Sequence, residues 1–196
     1  YKTVEHYYQS EKFNDLEIKN KIINCDTPKE ASNIGRDRNL KRIDNFKDIK
    51  NSVMYDGLYL KFSQNKDIRS KLIETGDKLI REMTVKESYW GIGPNLDGEN
   101  HIGHLLMKVR EQVKLDVLET IIKNCSNKIV YVLGHNNPDC DSIFSSYILS
   151  KILKSYGIDA VFSRRSGEIL DKDLINTFLD EEALEITDYS NKYFIL

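Results

Sequence analysis

Glu5 and Lys12 are the first residues of this chain whose types and spacing can do chemistry. A carboxylate gives or takes protons, and an amine becomes a nucleophile when burial lowers its pKa. Thr3 is placed to cap a helix running through Asn14. On such a helix Glu5 and Lys12 are two turns apart and share one face, about 20° from each other, with Tyr8 between them. The same pair also reads as two solvated charges, so the spacing leaves both readings open.

A second set lies in Gly134-His135-Asn136-Asn137-Pro138-Asp139-Cys140-Asp141-Ser142. His135, Asp139 and Asp141 offer one imidazole and two carboxylates from a single tight turn. That donor set suits Mn²⁺ or Mg²⁺ better than a thiolate-seeking metal. Cys140 then points away and packs, and Ser142 is a natural N-cap for a following helix. A plain polar turn is the competing reading.

The elements that must position these residues fall into two textures. The first two-thirds reads as mostly helical. Phe46, Ile49, Val53, Leu58 and Phe62 keep helical spacing over Asn45 to Phe62. A short helix is expected over Asp67 to Glu74, stopping near Gly76. Lys78 to Met83 reads as a short strand or a helical turn. Residues 88–100 hold Gly91, Gly93, Pro94 and Gly98 and must be a loop. Ile102, Leu106, Val109, Val113, Val117 and Ile121 then recur at steps of three or four, which predicts a long helix. The texture changes at Asn124 to Asn127. Ile129 to Leu133 is a β-branched run typical of a buried strand. A helix over 142–156, a strand around 160–162, a helix near 171–179 and a strand at 193–196 follow. Alternating strands and helices predict a parallel, doubly wound sheet, with a domain boundary at 124–128.

Bulk properties exclude some classes. The 196 residues are 40% hydrophobic and 31% charged, an ordinary globular composition. No apolar run approaches the roughly 20 residues that span a bilayer, and no signal-peptide pattern opens the sequence. Cys25, Cys125 and Cys140 form no zinc pattern or disulfide framework, so a reducing, cytoplasmic setting is expected. Residues 1–124 carry 22 basic and 20 acidic side chains, net +2, and residues 125–196 carry 7 and 11, net −4. The overall charge of −2 makes no electrostatic case for general nucleic-acid binding. Tyr1 is not an initiator Met and the last apolar run, from Tyr193, stops without a turn, so the chain is expected to continue at both ends.

Thr3-Val4-Glu5-His6-Tyr7-Tyr8-Gln9 with Lys12-Phe13 resembles the Thr-x-Glu-His-Tyr-x-Gln-x-x-Lys-Phe signature of the NADAR (YbiA-like) family. Further blocks follow in the family's order. Ala31 to Arg38 is similar to its Ala-x-x-x-Gly-Arg stretch, and Phe46 stands where Trp is common. Val53-Met54, Leu58 and Lys61-Phe62 match the next helix; Leu72, Thr75-Gly76 and Leu79-Ile80 match the segment after it. Glu87-Ser88-Tyr89-Trp90-Gly91 and Gly98-Glu99-Asn100 through Met107 resemble its last two blocks. The resemblance covers residues 1–124, with an N-terminal part expected to be missing. It implies a mainly α (α+β) domain that cleaves an N-glycosidic bond without a cofactor. Its substrates would be ribosylamino-pyrimidine phosphates of riboflavin synthesis or ADP-ribosyl-guanine, including ADP-ribosylated nucleic acid, with no membrane partner. It implies Glu5 for proton transfer, Lys12 for capturing the opened ribose as a Schiff base, and Glu87 as a second carboxylate in place of the usual Asp. His6, Tyr8, Arg36, Phe46, Trp90, Gly91 and Asn100 would bind substrate.

Several of these have a structural reading beside the functional one. Arg36 and Arg38 suit a phosphate or a charged surface. Trp90 stacks on a base or plugs a loop. Asn100 caps the long helix, whose N–H groups also suit a phosphate. His6 and His104 lack metal-ligand spacing and read as packing or hydrogen-bonding groups, and His101 as exposed.

The loop 134–142 resembles the first motif of the DHH phosphoesterases and family II inorganic pyrophosphatases. Residues 128–196 would then be the first half of an α/β parallel-sheet DHH domain, its later metal ligands expected beyond Leu196, and Asp188 either a ligand or a surface carboxylate. A manganese-dependent phosphoesterase with an accessory nucleotide-binding domain and a non-catalytic ADP-ribose-binding module are the alternative functions.

Overall fold

The structure is a computed structural model that describes residues 1–169, 172–190 and 192–195. The chain forms two compact units, Tyr1–Asp116 and Val117–Leu196. They part inside a helix rather than at 124–128, where the sequence texture changes.

The first unit is helical. Helix α1 (Val4–Ser10) starts at Thr3, whose hydroxyl accepts from the His6 N–H at 3.4 Å. It stops at Ser10, not Asn14: the Ser10 hydroxyl donates to the Tyr7 carbonyl (2.8 Å), which competes with continuation of the helix. Helix α2 (Leu16–Asn24) is capped by Asp15, which accepts from the Glu17 and Ile18 N–H groups. Helix α3 (Pro28–Arg36) has Thr27 as cap and Pro28 at its first position. Helix α4 (Phe46–Gln64) and helix α5 (Lys66–Glu74) follow. Residues 78–83 are irregular, neither strand nor helical turn. Three of their backbone groups go to buried side chains: Arg110 takes the Lys78 carbonyl, and Asn100 takes the Ile80 carbonyl and the Glu82 N–H. The long helix α6 (His101–Cys125) contributes Leu105, Val109 and Val113 to a core with Tyr8, Phe46, Val53, Met54, Leu58 and Leu72. Burial of each large apolar side chain contributes roughly 1.5–3 kcal/mol. A smaller core joins Phe13, Ile22 and Ala31 under α1, α2 and α3.

The second unit is a four-stranded parallel sheet. Strand β1 (Ile129–Val132), helix α7 (Cys140–Ser155), strand β2 (Asp159–Arg165), helix α8 (Lys172–Phe178), strand β3 (Leu184–Ile186) and strand β4 (Tyr193–Ile195) alternate along the chain. The order across the sheet is β3-β2-β1-β4, with Val130 opposite both Ala160 and Tyr193. The sheet therefore reverses direction of growth at β1, and the loop after β1 lies at that switch point. Strand β3 was not expected from the sequence. Residues 171 and 196 of the expected helix and last strand lie outside the described residues.

Candidate active site

Lys12 sits in the turn after α1 and is 8% exposed. Phe13 beside it is fully buried in the small core, which holds the turn down. The Lys12 Nζ donates to the Gly35 carbonyl at 3.2 Å. It lies over the Tyr8 ring at 5.2 Å and the Phe46 ring at 5.7 Å. Burial draws its pKa down to about 8; Arg42 and Arg36 push the same way and Glu5 opposes them. The amine therefore reaches its neutral, nucleophilic form near neutrality. The Glu5 charge reaches Lys12, but the two make no ion pair and do not lie on one continuous helix.

Glu5 is oriented by Gln9 one turn later, whose Nε2 donates to its Oε1 at 2.8 Å. Gln9 is buried against Gly35, where an added Cβ would stand 1.9 Å from the Gln9 Oε1. Gly35 thus serves both groups: its carbonyl holds the amine and its missing side chain admits the amide that holds the carboxylate. The buried Tyr8 has its pKa raised to about 12 by burial first and Glu5 second, so its hydroxyl stays a donor.

An aromatic wall extends from this point. Tyr8 meets Phe46 edge-on at 5.3 Å and Trp90 at 5.7 Å. Phe46, at the start of α4, keeps the ring that the family's Trp would supply but not an indole N–H. Trp90 is half-buried, and the turn that carries it is fixed by Glu87. The Glu87 carboxylate accepts from the Trp90 N–H (2.9 Å) and the Gly91 N–H (3.1 Å). Glu87 is thus seen holding the turn rather than standing free. A Cβ on Gly91 would lie 2.5 Å from the Glu82 carbonyl.

Three expected roles change. His6 is fully buried, with Nδ1 2.8 Å from the Thr3 hydroxyl and Nε2 3.1 Å from the Cys25 carbonyl. Both ring nitrogens are used, so His6 is a strut between α1 and the end of α2, not a substrate ligand. Asn100 does not cap α6 with its side chain. It has a left-handed φ of 52°, and its amide is spent on Ile80 and Glu82. His101 is half-buried, 4.1 Å from the Tyr89 ring and 2.9 Å from Glu99. Arg36 is exposed at the last position of α3, where its charge reaches Lys12, and His104 is exposed. Gln9 and Arg42 were missed. Gln9 had a visible signal, its i,i+4 spacing from Glu5; Arg42 is close to Lys12 only through tertiary structure.

In the second unit, His135 and Asp139 meet at 3.3 Å. Asp139, not Ser142, caps α7: its Oδ1 accepts from the Ser142 N–H at 3.0 Å, which is the chief cause of its lowered pKa. Ser142 lies inside the first turn and accepts from the His135 N–H. Cys140 packs against the core of Ile143, Phe162 and Ile175. Asp188 closes its own turn by accepting from Ser190. Among the described residues no group of three His, Cys, Asp or Glu is disposed to hold a metal ion. His135, Asp139 and Asp141 as arranged do not fit the Mn²⁺ or Mg²⁺ that the DHH resemblance implies. The cap competes for Asp139, and the expected three-ligand convergence is not found.

The model of the NADAR domain matches residues 1–114. The chain belongs to the NADAR family. N-glycosidase YbiA of Escherichia coli is 36% identical over 114 residues, 58% of this chain and 71% of the relative. Its NMR structure matches with a TM-score of 0.56 at 36% identity, covering 59% of this chain and 69% of that one. An N-glycosidase of Nostoc punctiforme is 41% identical over 117 residues, 57% of this chain and 74% of the relative. A riboflavin biosynthesis protein of Vibrio vulnificus is 33% identical over 110 residues, 56% of this chain and 30% of the relative. The NADAR match ends before the parallel sheet, and a DHH identity for residues 128–196 is not shown.

Proposed function

We propose that the first unit is an N-glycosidase that releases a base or amine from ribose, with Lys12 as nucleophile and Glu5 as proton carrier. The observation that carries this reading is the buried Lys12 amine, drawn down to about 8 and close enough to Glu5 to feel its charge. As the bond from ribose C1 to the leaving nitrogen breaks, its electron pair departs with the base while the neutral Lys12 amine forms the new bond at C1. The Glu5 carboxylate takes one proton from the attached Lys12 nitrogen and passes it to the leaving base. It carries the second to the ring oxygen as that oxygen leaves C1, which opens the sugar and gives a Schiff base. Water adds to C1 and restores the amine, so the net change is hydrolysis. Trp90, Phe46 and Tyr8 provide the wall against which a planar base packs.

The riboflavin biosynthesis protein among the relatives favours a ribosylamino-pyrimidine phosphate as substrate over ADP-ribosyl-guanine. Borohydride added during turnover of that compound should leave a phosphoribityl adduct on Lys12 in the mass spectrum. Base release that persists undiminished in Lys12→Ala, with no adduct in the parent protein, would overturn the mechanism.

A further inference from the structure

A second cavity, of about 760 Å³, opens beside the Lys12 turn and has no part in the chemistry above. The segment between α3 and α4 forms one side of it. That segment is pinned twice, by the Asn39 N–H on the Asp37 carboxylate (2.9 Å) and by the Ile43 N–H on the Lys12 carbonyl (2.9 Å). Leu40 turns toward the Phe13 core and Ile43 toward the main core. Lys41 and Arg42 are left exposed between them, lining the cavity. Among the described residues neither has an ion-pair partner. Two cations that line one cavity, neither paired with a carboxylate, form a place for an anion. The acidic groups of the cavity do not fill that place. Asp15 gives an oxygen to the first turn of α2, and Asp44 stands on the same strand of chain as Arg42 without pairing with it. Asn14 and Asn45 add amides suited to sugar hydroxyls. Arg42 is also the charge that Lys12 feels most, and Tyr8 feels it too. The cavity thus adjoins the reacting end.

The geometry points to Lys41 and Arg42 as the anchor for the phosphate of a phosphorylated ribosyl substrate, with the sugar directed toward Lys12. This rests on the glycosidase reading for the identity of the ligand. Titration calorimetry with ribose 5-phosphate and with ribose, on the parent chain and on the Lys41→Ala/Arg42→Ala double variant, tests it. Ribose 5-phosphate should bind the parent and weaken by roughly tenfold or more in the double variant, the loss expected for charge-assisted hydrogen bonds. Ribose should bind both proteins alike. Equal ribose 5-phosphate affinity in the two proteins, or no binding to the parent, overturns the anchor. Arg42-dependent binding together with full base release by Lys12→Ala keeps the anchor and removes the glycosidase mechanism, so the two failures are distinct.

Discussion

Lys12 carries a cost that its function explains. Its amine is buried against two rings, and burial disfavours the charged form, so the folded protein holds it at about 8. Attack on C1 needs the neutral amine. The kcat/KM for base release should therefore rise about tenfold per pH unit on the acid side and level off above about 8. A profile flat between pH 6 and 8 would exclude Lys12 as nucleophile. Replacing the ammonium with an apolar chain of similar length removes the burial cost. Lys12→Met should abolish turnover without lowering the melting temperature at pH 7, measured by scanning fluorimetry; a fall would mean that the Gly35 hydrogen bond outweighs desolvation. At this scale the sequence pointed to a pair, and the structure places the two by another route. Glu5 and Lys12 were legible as chemical types, but the helix that was to align them ends at Ser10. Lys12 is set beside Gly35 because Phe13 enters a separate core and draws the chain down there. No periodicity announces that.

Among the elements, α6 does more than fill the core. Its first turn carries Gly103, where an added Cβ would stand 2.2 Å from the Ile80 carbonyl and 2.4 Å from the Asn100 amide. Gly103→Ala must therefore push the 80–82 segment away from Asn100. A loss of about 1–3 kcal/mol is expected in denaturant unfolding, as for overpacking elsewhere. The protein has a single Trp, so displacement of the Trp90 turn should show directly in intrinsic fluorescence. Asn100→Ala leaves the Glu82 N–H and Ile80 carbonyl unpaired, at a similar cost of about 1–3 kcal/mol. Unchanged stability in both variants would show that the segment is not held from α6. The long helices were readable from apolar spacing. Helices α2 and α3 were not, because each is only nine residues long. Their signals lay in the caps: Asp15 before Glu17, and Thr27-Pro28 followed by Glu30, whose N–H the Thr27 hydroxyl accepts. Residues 78–83 misled because their apolar members face no regular neighbour; buried side chains take the backbone groups a sheet would have paired.

For the whole molecule, two units with separate cores predict separable failure. Leu153 is fully buried in the second unit, packed among Val130, Val132, Ile158 and Ala160. Leu153→Ala should cost about 2–5 kcal/mol there, yet leave base release unchanged at temperatures where the first unit stays folded. Loss of activity in step with unfolding of the sheet, followed by circular dichroism and assay together, would contradict this. The alternation of strands and helices was legible from β-branched runs. The neighbours of β1 were not, since strand order depends on how each crossover returns. Strand β3 escaped notice because it has three residues and only Ile186 is buried. That order also has a consequence in time. Val130 meets Ala160 soon after α7 is made, but its other neighbour, Tyr193, leaves the ribosome only after β2, α8 and β3. Until then β1, the strand that becomes central, has an open edge, and closing so long a loop is slow. Nascent chains stalled before residue 193 should therefore be the species that binds chaperones and aggregates, while the helical first unit, rich in local contacts, is already formed.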